Sequence, residues 1–165
     1  MNRKTLYERF RTTELKVGAE IGVAYGHNSI NILETIPSLQ LLYLVDPWAG
    51  VVRTKEFYQS VKDKAYKNLL PHSDRVTIMD TTSQMAAPSI PWPLDFVYID
   101  GDHSYDAVML DIILWGRKVR PGGFLAGHDY VRTRKHGVYR AVNDYANYHN
   151  IKIKVFEGNW YWVVE

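Results

Sequence analysis

The sequence has no cysteine, which excludes disulfide bonds, thiolate nucleophiles and Cys-ligated zinc or iron–sulfur sites. Charge of one sign is also scarce, because 20 Lys and Arg residues face 18 Asp and Glu residues, for a formal net charge of +2. So small an excess gives no electrostatic footprint for nucleic acid. No uncharged apolar run approaches the ~18 residues of a membrane span, and the basic opening, MNRKTLYERF, lacks the apolar core of a signal peptide. We therefore expect a cytoplasmic protein that binds neither nucleic acid nor membranes.

The composition is that of an ordinary globular domain. Apolar residues make up 46% and charged residues 23% of the 165-residue chain. We expect a single domain over residues 1–165, large enough to bury roughly 70% of the surface that its unfolded chain exposes. Such a domain needs no covalent staple for its stability.

Short apolar runs alternate with longer amphipathic segments, a pattern typical of βαβ units and a mostly parallel sheet. The predicted strands are 18–23, 41–45, 75–79, 95–99, 124–127, 151–156 and 160–164. The predicted helices are 4–12, 28–35, 55–70, 104–119 and 138–149. Pro121, Gly122 and Gly123 predict a turn before the fifth strand, and Gly158-Asn159 predicts a hairpin between the last two strands.

Two glycines, Gly22 and Gly26, follow the first predicted strand. Glycine at a strand-to-helix turn lets the backbone approach a ligand closely, and a side chain there would occupy the ligand's space. A nicotinamide fingerprint requires G-x-G-x-x-G, whereas Ala24 and His27 stand at the second and third glycine positions. A pyrophosphate cradle is therefore disfavoured, and without a ligand the segment is a glycine-bounded turn.

The second predicted strand ends in Asp46, 24 residues after Gly22. A carboxylate at the carboxyl end of the neighbouring strand can accept hydrogen bonds from two ribose hydroxyls. The alternative is a local Asx turn before Pro47. The position favours ribose binding.

A polar cluster follows the fourth and fifth predicted strands. Asp100, Asp102 and His103 come directly after the fourth strand, and His128-Asp129 ends the fifth. Adjacent parallel strands would bring Asp100, His128 and Asp129 together, and two carboxylates with an imidazole can hold a divalent cation. His103 is a candidate general base near neutral pH. The alternative role is helix capping with the histidines as turn residues, which we favour for Asp102 alone.

These motifs together resemble those of the class I S-adenosylmethionine-dependent methyltransferases, over nearly the whole chain. Within that class they are similar to the macrocin O-methyltransferase and cephalosporin hydroxylase-like branch. The segments that carry the resemblance are Glu20-Ile21-Gly22-x-x-x-Gly26-x-x-Ser29, Asp95-x-x-x-Ile99-Asp100-Gly101-Asp102-His103-Ser104-Tyr105, Pro121-Gly122-Gly123 and His128-Asp129-Tyr130. The resemblance implies an α/β, Rossmann-like class I methyltransferase fold: a mostly parallel seven-stranded sheet with a C-terminal β-hairpin and helices on both faces.

The resemblance also implies a binding site for the cofactor S-adenosylmethionine (SAM). The glycine turn would wrap its methionine part, and Asp46 would bind its ribose. The loop after the third strand would contact the adenine through Thr82 and Ser83, or through Asp80 instead. The implied cofactor-binding residues are Glu20, Gly22, Gly26, Ser29, Asp46, Thr82, Ser83 and Asp100.

In relatives of this branch, the residues that match Asp100 and Asp129 bind magnesium, and the residue that matches His103 is the base in sugar-methylating members. His128 departs from the pattern, because the relatives carry an oxygen ligand there. Magnesium prefers oxygen ligands, so His128 either admits a softer ion such as manganese or is not a ligand. It also competes with His103 for the role of base. The implied metal ligands are Asp100, His128 and Asp129, and the implied catalytic residues are His103 and Asp100.

The expected activity is metal-assisted O-methylation of a small hydroxylated acceptor, such as a sugar, a phenol or a natural product. The chain lacks the long N-terminal extension of larger members, so the acceptor pocket is either open or completed by a partner subunit in a homo-oligomer. One alternative is a catalytically silent cofactor-binding or assembly module of the same fold, and a weaker one is a nicotinamide-dependent oxidoreductase. A nucleic-acid methyltransferase is disfavoured, because the Asn/Asp-Pro-Pro-Tyr/Phe motif of base methylation is absent.

Other residues near the strand ends have two interpretations each. Trp48, Tyr105 and Tyr130 either line the acceptor pocket or pack at the sheet edge. The basic loop 131–136 either guides an anionic acceptor or is simply solvated. Its cationic side chains are Arg132, Arg134, Lys135 and His136.

Overall fold

The computed structural model describes residues 4–10, 14–91, 93–132 and 137–165. Its helices are α1 (Lys4–Phe10), α2 (His27–Thr35), α3 (Lys55–Leu69), α4 (Ser83–Ala86), α5 (Tyr105–Gly116) and α6 (Val138–Tyr148). Its strands are β1 (Val17–Ile21), β2 (Leu41–Val45), β3 (Val76–Met79), β4 (Leu94–Ile99), β5 (Val119–Gly127), β6 (Lys154–Phe156) and β7 (Asn159–Val163). No helix in these ranges is long and apolar enough to cross a membrane.

The strands form one seven-stranded sheet in the order β3-β2-β1-β4-β5-β7-β6. The first five strands are parallel, whereas β7 runs antiparallel to both β5 and β6. The predicted mostly parallel sheet with a C-terminal hairpin is therefore confirmed. The chain order reverses between β1 and β4, and ligands of open α/β sheets bind at the carboxyl ends of the strands at such a reversal.

Helices cover both faces of the sheet, as predicted, and the side chains of β4 show why. Successive residues of a strand point to opposite faces. Phe96 and Tyr98 join the core under α1, α2 and α3, while Val97 and Ile99 join the core under α4, α5 and α6. All four are buried. A strand buried on both faces has to be apolar throughout, which is the pattern that identified β4 in the sequence.

The prediction for β5 was wrong at its start. The strand begins at Val119 and includes the Pro121-Gly122-Gly123 segment, which was predicted to be a turn before it. The register shifts there, because Leu94 pairs with Val119 while Phe96 pairs with Phe124. Proline cannot donate a hydrogen bond in a ladder, and extra residues in one strand produce a bulge rather than a chain reversal. The helix before β5 was predicted to reach residue 119. It ends at Gly116, because the strand already begins at Val119.

Of the remaining described bounds, the start of the sixth strand differs most, and the others lie within two residues of the prediction. The sixth strand is Lys154–Phe156 rather than 151–156, because Ile151 still bonds to the end of α6 through the carbonyl of Ala146. The end of the first helix, predicted at residue 12, lies outside the described residues.

Candidate active site

Four loops that carry the predicted site residues meet at the carboxyl edge of the parallel strands. Each loop begins with a backbone N–H that donates to the last carbonyl of the neighbouring strand. These bonds join Gly22 to Val45 (2.9 Å), Asp46 to Met79 (3.2 Å), Asp100 to Ile21 (2.7 Å) and His128 to Ile99 (3.1 Å). The ladder thus continues past the strand ends and fixes the loops relative to one another.

The backbone at this edge adopts conformations that are rare for residues with side chains. Ala24, Trp48 and Asp129 have φ angles of 49°, 40° and 53°. They follow β1, β2 and β5, respectively. Left-handed non-glycine residues persist where the surrounding structure holds them, and they cluster at ligand sites. The edge is therefore a candidate site on conformational grounds alone.

The two glycines of the turn after β1 are required by the packing of the chain itself. A β-carbon on Gly22, at φ 89°, would lie 2.2 Å from the carbonyl oxygen of Asp100. A β-carbon on Gly26, at φ 78°, would lie 3.1 Å from the Leu69 side chain. The sequence-based reason for these glycines, that a side chain would fill the ligand's space, stays a prediction alongside this packing requirement.

Asp46 holds the glycine turn. Its Oδ2 accepts hydrogen bonds from the backbone N–H groups of Val23 and Ala24, both at 2.9 Å. Its Oδ1 accepts from the N–H of Trp48 at 2.7 Å, which is the Asx turn considered as the alternative. A carboxylate has about four acceptor positions, so one remains. Ribose binding by Asp46 stays a prediction, alongside this observed structural role.

Glu20 and Ser29 are fully buried and bind each other. The Ser29 hydroxyl donates to Glu20 Oε2, and the Asn28 amide donates to Glu20 Oε1 at 2.8 Å. The Tyr7 hydroxyl extends the network by donating to Asn28 Oδ1 at 2.9 Å. These side chains anchor the start of α2 on β1. Any contact of Glu20 or Ser29 with a cofactor would therefore be made by the backbone groups of these two residues rather than by their side chains.

The loop after β3 offers two exposed candidates, Asp80 and Thr82. Thr82 is exposed and precedes α4. The Ser83 hydroxyl, by contrast, donates to Asp111 and accepts from the indole N–H of Trp115 at 2.7 Å. Asp80 pairs with the ammonium group of Lys62. The predicted contact with adenine stays a prediction, and the Ser83 side chain can offer it only one remaining lone pair.

The polar residues after β4 and β5 converge as predicted. His103 Nε2 lies 3.5 Å from Asp100 Oδ1, and His103 Nδ1 lies 3.4 Å from Asp129 Oδ2. His128 Nδ1 lies 3.1 Å from Asp129 Oδ1 and 4.0 Å from Asp100 Oδ1. In the described part of the chain, candidate metal-ligand atoms of Asp100, His103 and Asp129 all lie within 4.8 Å of one another. The structure thus adds His103 to the candidate ligands, while the ligand role assigned to His128 stays a prediction.

The charges of this cluster act on His103. A hydrogen bond with Asp100 raises the pKa of the His103 imidazole, and the negative charges of Asp100, Asp129 and Asp102 act in the same direction, while burial opposes them. The cluster therefore attracts positive charge, whether as a proton on His103 or as a cation.

Neighbouring groups hold His103 in place. Its carbonyl oxygen accepts from the N–H of Gly137 at 2.7 Å, at the start of α6. On the other side, Asp102 Oδ1 accepts from the N–H of Ser104 at 2.8 Å, and the Ser104 side chain caps α5 by accepting from Ala107. The cap of α5 is therefore Ser104 rather than Asp102, which instead supports the capping residue through its backbone N–H.

The three aromatic candidates are packed. Trp48 is 6% exposed, and its indole N–H donates to the carbonyl of Ala24 at 2.9 Å. The hydroxyls of Tyr105 and Tyr130 bond to α6, at Asp144 (3.1 Å) and at Asn143 (3.1 Å). These contacts support packing at the sheet edge, and a further role of the three residues in lining the acceptor pocket stays a prediction. Of the basic loop, Arg134, Lys135 and His136 lie outside the described residues.

Sequence reasoning missed Asp111. This residue of α5 is 4% exposed and contacts the loop after β3 through Ser83. The signal was present, because a carboxylate on the buried stripe of an otherwise apolar helix requires a partner.

The comparisons with known proteins agree with this fold and this edge. A family model described as "Methyltransferase domain" matches residues 19–130, which is more than half of the chain and contains every predicted site residue. The chain therefore belongs to this family, and it is a class I S-adenosylmethionine-dependent methyltransferase by family and fold.

Solved methyltransferases share the fold, two of them O-methyltransferases. An O-methyltransferase from Bacillus cereus in complex with SAH has a TM-score of 0.71 at 18% identity, over 97% of this chain and 79% of that chain. TomG from Streptomyces achromogenes is an O-methyltransferase involved in tomaymycin synthesis, solved in complex with SAM. It has a TM-score of 0.71 at 17% identity, over 98% of this chain and 79% of that chain. The SAH-bound methyltransferase PaMTH1 from Podospora anserina has a TM-score of 0.72 at 13% identity, over 99% of this chain and 78% of that chain. At these identities the likeness concerns the fold.

Proposed function

We propose that this chain is a SAM-dependent O-methyltransferase that methylates a small hydroxylated acceptor with the help of a divalent cation. One observation carries the proposal: Asp100, His103 and Asp129 converge at the edge where the glycine turn lies against the loop of Asp100. A module that only bound a cofactor would have no use for such a cluster. The fold shared with O-methyltransferases that bind SAM or SAH supports the same conclusion.

The turn between β1 and α2 suits an amino-acid carboxylate. The first α2 amide that bonds along the helix is that of Ile30, to Gly26 at 3.1 Å. The amides of the three residues before it have no intrahelical partner and present partial positive charge, as helix N-termini do. Asp46 has an acceptor position left for a ribose hydroxyl, next to the turn it holds. When bound, SAM supplies a methyl group activated by its sulfonium.

The cluster suits a divalent cation. Asp100 and Asp129 would supply carboxylate oxygens, and His103 or His128 an imidazole nitrogen, which is a donor set compatible with magnesium or manganese. A cation held there would act as a Lewis acid that makes the acceptor hydroxyl easier to deprotonate.

His103 is the proposed base, and its charge depends on the same carboxylates. Because Asp100 raises its pKa, His103 holds a proton to higher pH than a free imidazole would, and the protonated form cannot act as a base. Positive charge beside Asp100 and Asp129 would oppose this effect and favour the neutral imidazole. A requirement for a cation and a role of His103 as base therefore support each other. His128 is the competing base.

An acceptor panel tests the proposal. The parent protein is incubated with SAM, Mn²⁺ or Mg²⁺, and sets of phenols, sugars and natural-product alcohols, and SAH release is measured. We expect release with one hydroxylated class, lost on chelation and in Asp100→Asn and Asp129→Asn. Asp74→Asn is the matched control, since Asp74 is exposed and precedes β3 at the opposite edge. If SAH release survives exhaustive chelation, the cation has no part in the reaction. If no acceptor gives SAH release, the result favours the catalytically silent module.

A further inference from the structure

A buried carboxylate outside the cluster connects two loops of the site. Asp111 of α5 is 4% exposed, and its Oδ1 accepts a hydrogen bond from the hydroxyl of Ser83, the first residue of α4. The Ser83 oxygen in turn accepts from the indole N–H of Trp115, which is fully buried one turn further along α5. Three side chains thus form one hydrogen-bonded chain between α4 and α5.

The other oxygen of Asp111 faces the loop after β4. A β-carbon on Gly101 would lie 3.9 Å from Asp111 Oδ2, so the carboxylate borders the backbone between Asp100 and Asp102. Among the described residues no cationic side chain pairs with Asp111. The groups that face it are the hydroxyl of Ser83 from α4, the backbone of Gly101, and the negative charge of Asp102.

We propose that Asp111 is a positioning residue of the cofactor site, which fixes the loop after β3 against the loop after β4 through its contacts with Ser83 and with the backbone of Gly101. The first loop carries Thr82, proposed to contact the adenine, and the second carries Asp100. The effect on SAM rests on the proposed function above. The link between the two loops does not, because it consists of contacts within the chain.

The link rests on the acceptor oxygen of Asp111 rather than on its charge. Burial raises the pKa of Asp111 to about 6, against the Ser83 hydrogen bond, and the charge of Asp102 adds to the rise. A raised pKa means that the folded site holds the neutral acid better than the carboxylate. The Ser83 hydroxyl can donate to Oδ1 of either form.

Calorimetric titration with SAM at pH 7.5 tests the proposal on the parent, Asp111→Leu, Asp111→Asn and the control Asp106→Asn. Asp106 is exposed in the first turn of the same helix. We expect Asp111→Leu, which removes the acceptor of the Ser83 bond, to bind roughly tenfold more weakly than the parent, the order of one hydrogen bond. Asp111→Asn keeps an acceptor oxygen and should bind like the parent, as should Asp106→Asn. Equal affinity of Asp111→Leu and the parent, or an equal deficit in Asp111→Leu and Asp111→Asn, overturns the proposal.

Hydrogen exchange provides a readout without SAM. The amides of Met85 and Ala86 bond to the carbonyl of Thr82 within α4. They should exchange faster in Asp111→Leu than in the parent at pH 7.5, while the amide of Ile30 in α2 serves as the internal reference. Ser83→Ala should show the same change, and it replaces Asp111→Leu if that variant does not fold. Unchanged exchange overturns the link. If exchange rises but SAM binds to neither parent nor control, the proposed function fails and the link stands.

Discussion

A β-carbon on Gly22 would lie 2.2 Å from the carbonyl oxygen of Asp100, so the turn after β1 and the loop after β4 pack backbone against backbone. The same two loops carry the proposed contacts to the methionine part of SAM and to the cation. Their separation is set by a contact that only glycine permits. The turn after β1 and the loop after β4 are therefore held at a fixed separation.

Gly22→Ala should destabilise the protein. The added carbon would force two backbones apart at a residue that is also left-handed, which costs about 2–4 kcal/mol. Gly101→Ala is the matched control, because its β-carbon would have no neighbour closer than 3.8 Å, and it should cost less than about 1 kcal/mol. Urea unfolding of the two variants measures the difference. Similar costs for both would contradict the close packing of the two loops.

Asp46→Ala should weaken SAM binding by roughly 1.5–3 kcal/mol, the scale of hydrogen bonds to a charged group. The cause is twofold, because the variant loses the predicted ribose contact and also leaves the amides of Val23 and Ala24 without their acceptor. Calorimetric titration measures the affinity, with Asp74→Asn as the distant carboxylate control. Unaltered affinity in Asp46→Ala would refute both roles at once.

The β2 strand and the Asp46 turn illustrate what sequence reasoning could reach. Five consecutive apolar residues bounded by Asp46-Pro47 defined β2 (Leu41–Val45) correctly. The convergence of Asp100 and Asp129 followed from the geometry of adjacent parallel strands. The bulge at Pro121 could not be predicted in this way, since proline and glycine in a sequence indicate a turn and a bulge equally. The Ser83–Asp111 bond joins residues 28 positions apart, and only the packing of α4 on α5 creates it.

The contribution of Asp111 to the stability of the parent should fall as pH rises from about 4 to 6. The pKa of Asp111 is raised from 3.8 to about 6 in the folded protein. The folded state therefore binds more protons than the unfolded state between these values, and ionisation costs up to about 3 kcal/mol. Asp111→Asn lacks this cost. Its stability relative to the parent should rise between pH 4 and pH 7.5, as urea unfolding at both values would show. A constant difference would contradict the raised pKa.

His103→Ala should lower turnover by roughly 10²–10⁴-fold without weakening SAM or cation binding, which is the effect of losing a general base. His128→Ala should instead raise the cation concentration needed for half-maximal activity. The two histidines provide matched variants, since each lies within 4.0 Å of both Asp100 and Asp129. Cation titrations of the activity separate the roles. Reversed phenotypes would make His103 the ligand and His128 the base.

Direct titration of the parent protein with SAM, with and without Mn²⁺, tests the central claim that this edge of the sheet is a methyltransferase site. We predict one SAM bound per chain, at an affinity that falls in Asp46→Ala and is retained in Asp74→Asn. No heat of binding under either condition would contradict the assignment of the glycine turn and Asp46 to the cofactor.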